Sequence, residues 1–374
     1  MKILIIRLSS LGDVVLASTV IDALKEKLPA AALSLLVYSK YRDLYDKDRR
    51  LTDLISLPPS PASFFDLLRK LRKMRFDTIL DLHCNIKSLL IRMLVPAGRK
   101  VSYRKGHWRR ALMVRAARLK APGRRRFLLA PCRPVAELLC QKTRTHHTVE
   151  LFLKPLRRLG VETTMRPPRL FIQPEAAAEV EGFLSQNDVS AEQVLIGIAP
   201  GARWSAKRWT TSGFAQVCDQ LLKDPNIRLI FLGNQADLDF TQQILTRMGG
   251  KPLVATGQFG LKGLVAAIGR CSLLLTNDSG PMHIATALEI PVVAIFGPTH
   301  PKLGFSPLGP RDVLLHADLR CSPCSLHGEK RCILKHRQCM EQITPETVFE
   351  AIRRVLEDNR QSSVISELNQ SLTS

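Results

Sequence analysis

Short apolar runs alternate with segments of helical spacing along most of the chain. Ile3–Ile6, Leu33–Val37, Leu54–Leu57 and Phe76–Leu82 read as buried strands. Val14–Leu28, Phe64–Met74 and Ile86–Leu94 carry apolar residues three and four apart and read as helices. Repeated strand–helix units predict a parallel α/β sheet. A helix over His146–Leu159, closed by Gly160, and a linker at Arg166–Pro167–Pro168–Arg169 follow, then a helix over Pro174–Asn187. A second series starts at Val194–Ile198. Its further strands are Arg228–Leu232, Leu253–Ala255, Leu273–Leu275 and Pro291–Phe296, separated by helices over Thr211–Lys223, Leu238–Met248 and Leu261–Arg270. The pattern therefore predicts two α/β domains, residues 1–170 and 171–344. Beyond them it expects a helix over 345–358 and a polar, disordered tail over 359–374.

The most informative stretch is Ser272–Thr299. A buried strand leaves through Thr276–Asn277–Asp278, and Ser279–Gly280–Pro281 opens a helix with a cap residue and a first-turn proline. A helix mouth at the carboxyl end of a parallel strand suits an anion, and Asp278 and His283 bracket it. An ordinary strand–helix turn has the same local pattern. Asp13 stands at another such mouth, in Leu8–Asp13, either stabilising the helix or serving as a general base. Lys207, in the loop Ala199–Trp209, either neutralises a phosphate or is a solvated cation. Asp237, after Gly233–Asn234–Gln235–Ala236, either holds ribose hydroxyls or caps the next helix.

Charge narrows the partner. The 374 residues carry a formal net charge of +22, which calls for an anionic partner: a phosphorylated substrate, a membrane surface or nucleic acid. Residues 99–144 hold fifteen Lys or Arg and one acidic residue, with Arg104, Lys105, Arg109 and Arg110 in one group and Arg124, Arg125 and Arg126 in another. A few aromatics and no recognisable module argue against nucleic acid. The absence of a run of about 18 apolar residues excludes a membrane-spanning helix. The first apolar run reads as a strand and not a signal peptide, so the expected location is cytoplasmic. The nine cysteines then suggest free thiols. Cys321, Cys324, Cys332 and Cys339 leave a zinc clip open as an alternative.

Four segments taken together, ILIIRLSSLGDVVLA, FDTILDLHCNIKS, PGARWSAKRW and TNDSGPMHIATALEIPVVAIFGPT, resemble glycosyltransferase family 9, the lipopolysaccharide heptosyltransferases. The resemblance covers about residues 1–358 and implies a GT-B architecture, two Rossmann-like domains across a cleft, with the last helix packing back on the first domain. It implies an inverting, metal-independent transfer, without cofactor, from ADP-heptose to a Kdo-lipid A or lipopolysaccharide core acceptor. By motif, Asp13 matches the base, Lys207 a lysine on the donor phosphates, Asp278 a donor-site aspartate, Ser279 and Gly280 the diphosphate-binding amides, and His283 a histidine beside the donor. Gln235 or Asp237 falls near a ribose-binding carboxylate, and Phe259 near a backbone contact to the base. The arginines of 104–126 would then face acceptor and anionic lipid at the cytoplasmic face of the inner membrane, with no nucleic-acid partner. Transfer from another nucleotide sugar to another surface glycan stays open, as does, in a different class, a basic nucleic-acid-binding protein.

Overall fold

The computed structural model describes all residues except 58–60, 104–105, 121–145, 329–331, 333, 335 and 372–374. Arg104, Lys105, Arg124, Arg125 and Arg126 lie outside the described residues.

Five strands form the first sheet: β1 (Lys2–Ile6), β2 (Ala32–Tyr38), β3 (Asp53–Leu57), β4 (Phe76–Asp81) and β5 (Ala97–Ser102). Their order is β3-β2-β1-β4-β5, all parallel. β1 is central, and its Ile3–Ile6 run is wholly buried, as a parallel strand covered on both faces requires. The second sheet holds β6 (Val194–Ala199), β7 (Ile227–Phe231), β8 (Leu253–Val254), β9 (Leu273–Asn277), β10 (Val292–Phe296) and β11 (Val313–His316). Its order is β11-β10-β9-β6-β7-β8, again parallel. In each sheet the strand order reverses beside the first strand of the domain, and crevices for ligands open at such points.

β5 and β11 are absent from the hydrophobic pattern because both are edge strands. Arg99 and Lys100 of β5 are exposed and β11 is only half-buried, so neither needs a continuous apolar run. The single helix expected over Val14–Leu28 is two, Leu11–Leu16 and Ser18–Lys27, jointed at Ala17. The first begins earlier than the apolar pattern suggests because Ser10 caps it.

The last helix corrects the sequence reading twice. It runs Pro345–Ser371, through the stretch expected to be disordered, where Val364, Ile365 and Leu368 keep helical spacing. It packs on the second domain and not on the first. Val348, Ile352 and Val355 are buried with Trp209, Phe214 and Ile295. Trp209 Nε1 donates at 3.0 Å to the carbonyls of Met340 and Ile343, just ahead of that helix.

The Leu11–Leu16 helix of the first domain lies against the Gly280–Ala287 helix of the second, and the Ser39–Leu44 turn lies against the Leu261–Gly269 helix. The contact is close. A Cβ added at Gly12 would overlap the His283 ring, and one at Gly280 would overlap Leu11. Beside it Arg50, held by Asp22 at 2.8 Å and Asp48 at 2.6 Å, donates to the carbonyl of Arg169. Among the described residues no helix is long and apolar enough to cross a membrane.

Candidate active site

A cavity of about 650 Å³ lies between the two domains. That is ample for a nucleotide sugar by the usual size of ligand pockets, roughly 300–1,000 Å³. Ser10–Asp13 of the first domain and Asp278–Pro281 and His283 of the second line it, with the 201–208 loop and Asn234, Ala236 and Asp237 on its flank. Each segment leaves the carboxyl end of a parallel strand.

Asp13 sits in the first turn of the Leu11–Leu16 helix. The Ser10 hydroxyl donates to its Oδ2 at 2.8 Å, and the Ser10 amide at 3.2 Å. Arg7 Nη2 lies 2.7 Å from the same oxygen. Burial pushes the carboxyl upward, but Arg7, the Ser10 bonds and His283 outweigh it, so its pKa falls below the ordinary value and it is a carboxylate at neutral pH. Arg7 is itself buried, donates to the Leu82 carbonyl and lies 5.1 Å over the Phe152 ring. The sequence reading missed Arg7. Its one signal is a cation at the end of an otherwise apolar central strand, where burial demands a partner.

Across the cavity, Lys207 Nζ pairs with Asp278 Oδ2 at 2.6 Å, and the Thr299 hydroxyl donates to that oxygen at 2.7 Å. Both charged side chains are largely buried. Asn277 fixes the frame around them. Its Oδ1 accepts from the Trp209 amide at 3.0 Å, and its Nδ2 donates to the Pro200 carbonyl at 2.6 Å. One residue thereby ties the lysine loop to the strand that carries Asp278. Ser279 holds the N-cap position of the Gly280–Ala287 helix, and it lines the cavity together with Gly280 and Pro281 of the first turn. This is an arrangement for an anion: a helix N-terminus on one side and a lysine, held ready by a carboxylate, on the other.

His283 is buried, and burial pushes its imidazole down to about 4, against smaller upward pulls from Asp278 and Asp13. Among the described residues its Nδ1 is buried without a hydrogen-bond partner. The ring is neutral at pH 7. In the unfolded chain it takes up a proton near pH 6.5, so below that value the unfolded state binds more protons and native stability falls until about pH 4. Between about pH 7 and pH 5 the loss from this group is about 2 kcal/mol. Urea titrations at the two pH values should show it, and His283→Asn should reduce the difference.

Asp237 is buried against Gly201, accepts from the Asn234 amide at 3.2 Å and stands 3.8 Å from Arg208 Nη2. Burial raises its pKa despite those two contacts. Its capping role is therefore present, and it also lines the cavity. Gln235 and Phe259 are not brought to the cavity wall. Gln235 packs on Gly257, and the Phe259 ring meets Phe183 edge-on at 5.4 Å, both rings partly buried against the core. Arg110 is not on a lipid-facing surface either. It is buried, donates to the Thr148 hydroxyl at 3.0 Å and stacks 4.5 Å over Phe305, because its helix leans on the second domain. Arg109 is partly exposed, over Trp108.

The cysteine cluster contains no disulfide among the described residues. Burial pushes Cys324 up to about 11 and Cys339 up to about 12, with neighbouring thiols adding to both. Among the described residues, the metal-ligand atoms that do lie within 4.8 Å of one another are those of His300, His316 and Asp318. There His300 Nδ1 accepts from the Lys302 amide at 3.0 Å, which leaves the ring proton on Nε2, the atom that would have to bind the ion.

Residues 64–336 match the model of glycosyltransferase family 9 (heptosyltransferase). The chain belongs to that family. Among family 9 relatives, it is 39% identical over 169 residues to lipooligosaccharide heptosyltransferase 2 of Campylobacter jejuni, covering 43% of this chain and 51% of that protein. The chain thus spans about half the length of the Campylobacter relatives it matches. Lipopolysaccharide heptosyltransferase 2 of Salmonella typhimurium is 28% identical over 316 residues, 80% of this chain and 84% of that protein. In structure, a family 9 glycosyltransferase from Veillonella parvula superposes with a TM-score of 0.76 at 23% identity, covering 96% of this chain and 97% of its own. Escherichia coli ADP-heptose lipopolysaccharide heptosyltransferase II gives 0.71 at 21% identity, covering 96% and 100%. The likeness establishes the GT-B fold for this member of family 9.

Proposed function

We propose that this chain transfers heptose from ADP-heptose to a hydroxyl of the lipopolysaccharide inner core, with inversion and without a metal ion. The observation that carries the reading is the shared cavity: an ionised carboxylate, Asp13, faces it from one domain, and the Lys207–Asp278 pair and a helix N-terminus face it from the other. In this reading Asp13 takes the acceptor hydroxyl's proton as that oxygen attacks the anomeric carbon. The bond to the ADP oxygen breaks on the opposite face, which inverts the centre. The diphosphate's growing charge is met by Lys207 and the amides at Ser279 and Gly280. Lys207 performs there the neutralisation that a divalent cation performs in other transferases. The names of the relatives support heptose as the sugar and lipopolysaccharide as the acceptor. Their acceptors support a place at the cytoplasmic face of the inner membrane.

The test is a transfer assay with truncated lipopolysaccharide acceptors and ADP-heptose, UDP-sugars or GDP-sugars as donors. Turnover with ADP-heptose alone is expected. Turnover only with a uridine or guanosine donor would replace the proposed sugar. Tight, salt-sensitive binding of nucleic acid without stabilisation by ADP would remove the enzyme reading.

A further inference from the structure

Helix Ile86–Leu94 joins β4 to β5 and turns an apolar face outward. Ser88, Ile91 and Val95 point into the sheet and are buried. Ile86, Leu89, Leu90, Met93 and Leu94, spaced at three and four, are exposed, Ile86 by 78% and Met93 by 67%. Phe65, on the helix Pro61–Met74, is likewise 70% exposed. The two helices share one core beneath, and Arg72 Nε donates to the Leu94 carbonyl at 2.8 Å to lock them side by side. An apolar stripe on a helix that already buries its other side marks an interaction surface.

Charge decides the occupant. Residues 61–102 hold nine Lys or Arg against three Asp. Lys70, Lys73, Lys87, Arg99 and Lys100 are all exposed, on the same helices and on the adjoining edge strand β5. Of the three aspartates, Asp81 is fully buried. An apolar stripe rimmed by cations is the pattern of a helix lying in the headgroup plane of an anionic bilayer.

We infer that helix Ile86–Leu94 docks this domain on an anionic lipid surface, its stripe among the acyl-chain ends and the flanking cations on the headgroups. The inference rests on the proposed lipid-borne acceptor and says where it is met. Asp81, at the carboxyl end of β4, pairs in register with Ile6 of β1, one residue before Arg7. The docking helix therefore starts on the same edge of the sheet from which Asp13 faces the cleft. A lipid-anchored sugar can reach the carboxylate while its acyl chains stay in the membrane. Arg110, expected from its basic run to face lipid, is buried and takes no part in this surface.

Co-sedimentation of the full chain with phosphatidylethanolamine–phosphatidylglycerol vesicles tests this, against phosphatidylcholine vesicles. Leu90→Gln/Met93→Gln/Leu94→Gln should lower partitioning onto the anionic vesicles about 100-fold. Its melting temperature and its activity on a delipidated acceptor should match those of the parent. Lys87→Gln/Lys100→Gln should weaken binding and flatten its salt dependence. Parent-like vesicle binding by the triple variant would overturn the inference. So would a parent dimer that ignores vesicles and dissociates in the triple variant, since the stripe would then cover a second copy. Loss of heptose transfer by the parent with vesicle binding intact would sink the proposed reaction and leave the docking surface standing.

Discussion

Asp13→Asn is expected to lower kcat by about 10²–10⁴-fold, the usual contribution of a positioned general base. Affinity for ADP should stay near the parent's, because Asp13 stands in the other domain from the diphosphate groups. The carboxylate is a weak base, held ionised by Arg7 and Ser10. Proton transfer therefore runs late, once bonding to the anomeric carbon has acidified the attacking hydroxyl. Asparagine keeps the side chain's size but leaves the buried Arg7 guanidinium without its carboxylate, a change that costs several kcal/mol in fully buried pairs and less here. A thermal melt beside the kinetics separates the two losses: Arg7→Gln should share the stability loss and move the acid limb of the pH–rate profile upward, since Asp13 loses its main stabilising charge. Full activity of Asp13→Asn would remove Asp13 as the base.

Lys207→Met is expected to weaken ADP binding by about 10²–10³-fold, the effect of truncating one member of a buried, hydrogen-bonded charge pair. Two causes add. The diphosphate loses its cation, and Asp278, no longer neutralised, repels it. The double variant Lys207→Met/Asp278→Asn should recover part of the loss by removing the repulsion, and calorimetric titration of the four proteins measures the coupling. If the single and double variants bind ADP equally weakly, Asp278 does not act through charge. Thr299, which also donates to Asp278, should then be inspected as the residue that holds it in place.

Much of the cleft was legible before the fold. Asp13, Ser279 and Gly280 announce themselves because cap residues and glycines at strand ends are local signals, set by a few neighbouring positions. Asp278 and Lys207 were legible as a pair of charges on loops, but not as partners, since 71 positions separate Lys207 from Asp278. Arg7 was illegible for the same reason: its meaning depends on Asp13 folding back and on Phe152 arriving from far along the chain. Arg110 misled because a basic run reads as surface, whereas its own side chain is buried against Phe305. The helix Ile86–Leu94 was found to the residue, yet periodicity says only that one face is apolar, not that this face looks outward. The last helix was placed on the first domain by the resemblance alone, since Val348, Ile352 and Val355 specify a partner's character and not its identity.

One core cluster runs without interruption from Ile3 and Val15 in the first domain through Phe152 and Leu184 to Met282 and Ile284 in the second. Two sheets that share a core cannot melt one after the other without exposing it. The chain should therefore unfold in a single cooperative transition, and neither half should survive when expressed alone. Whatever opening admits a donor must slide along this seam or be confined to the 201–208 loop, because a wide hinge would wet the molecule's own interior.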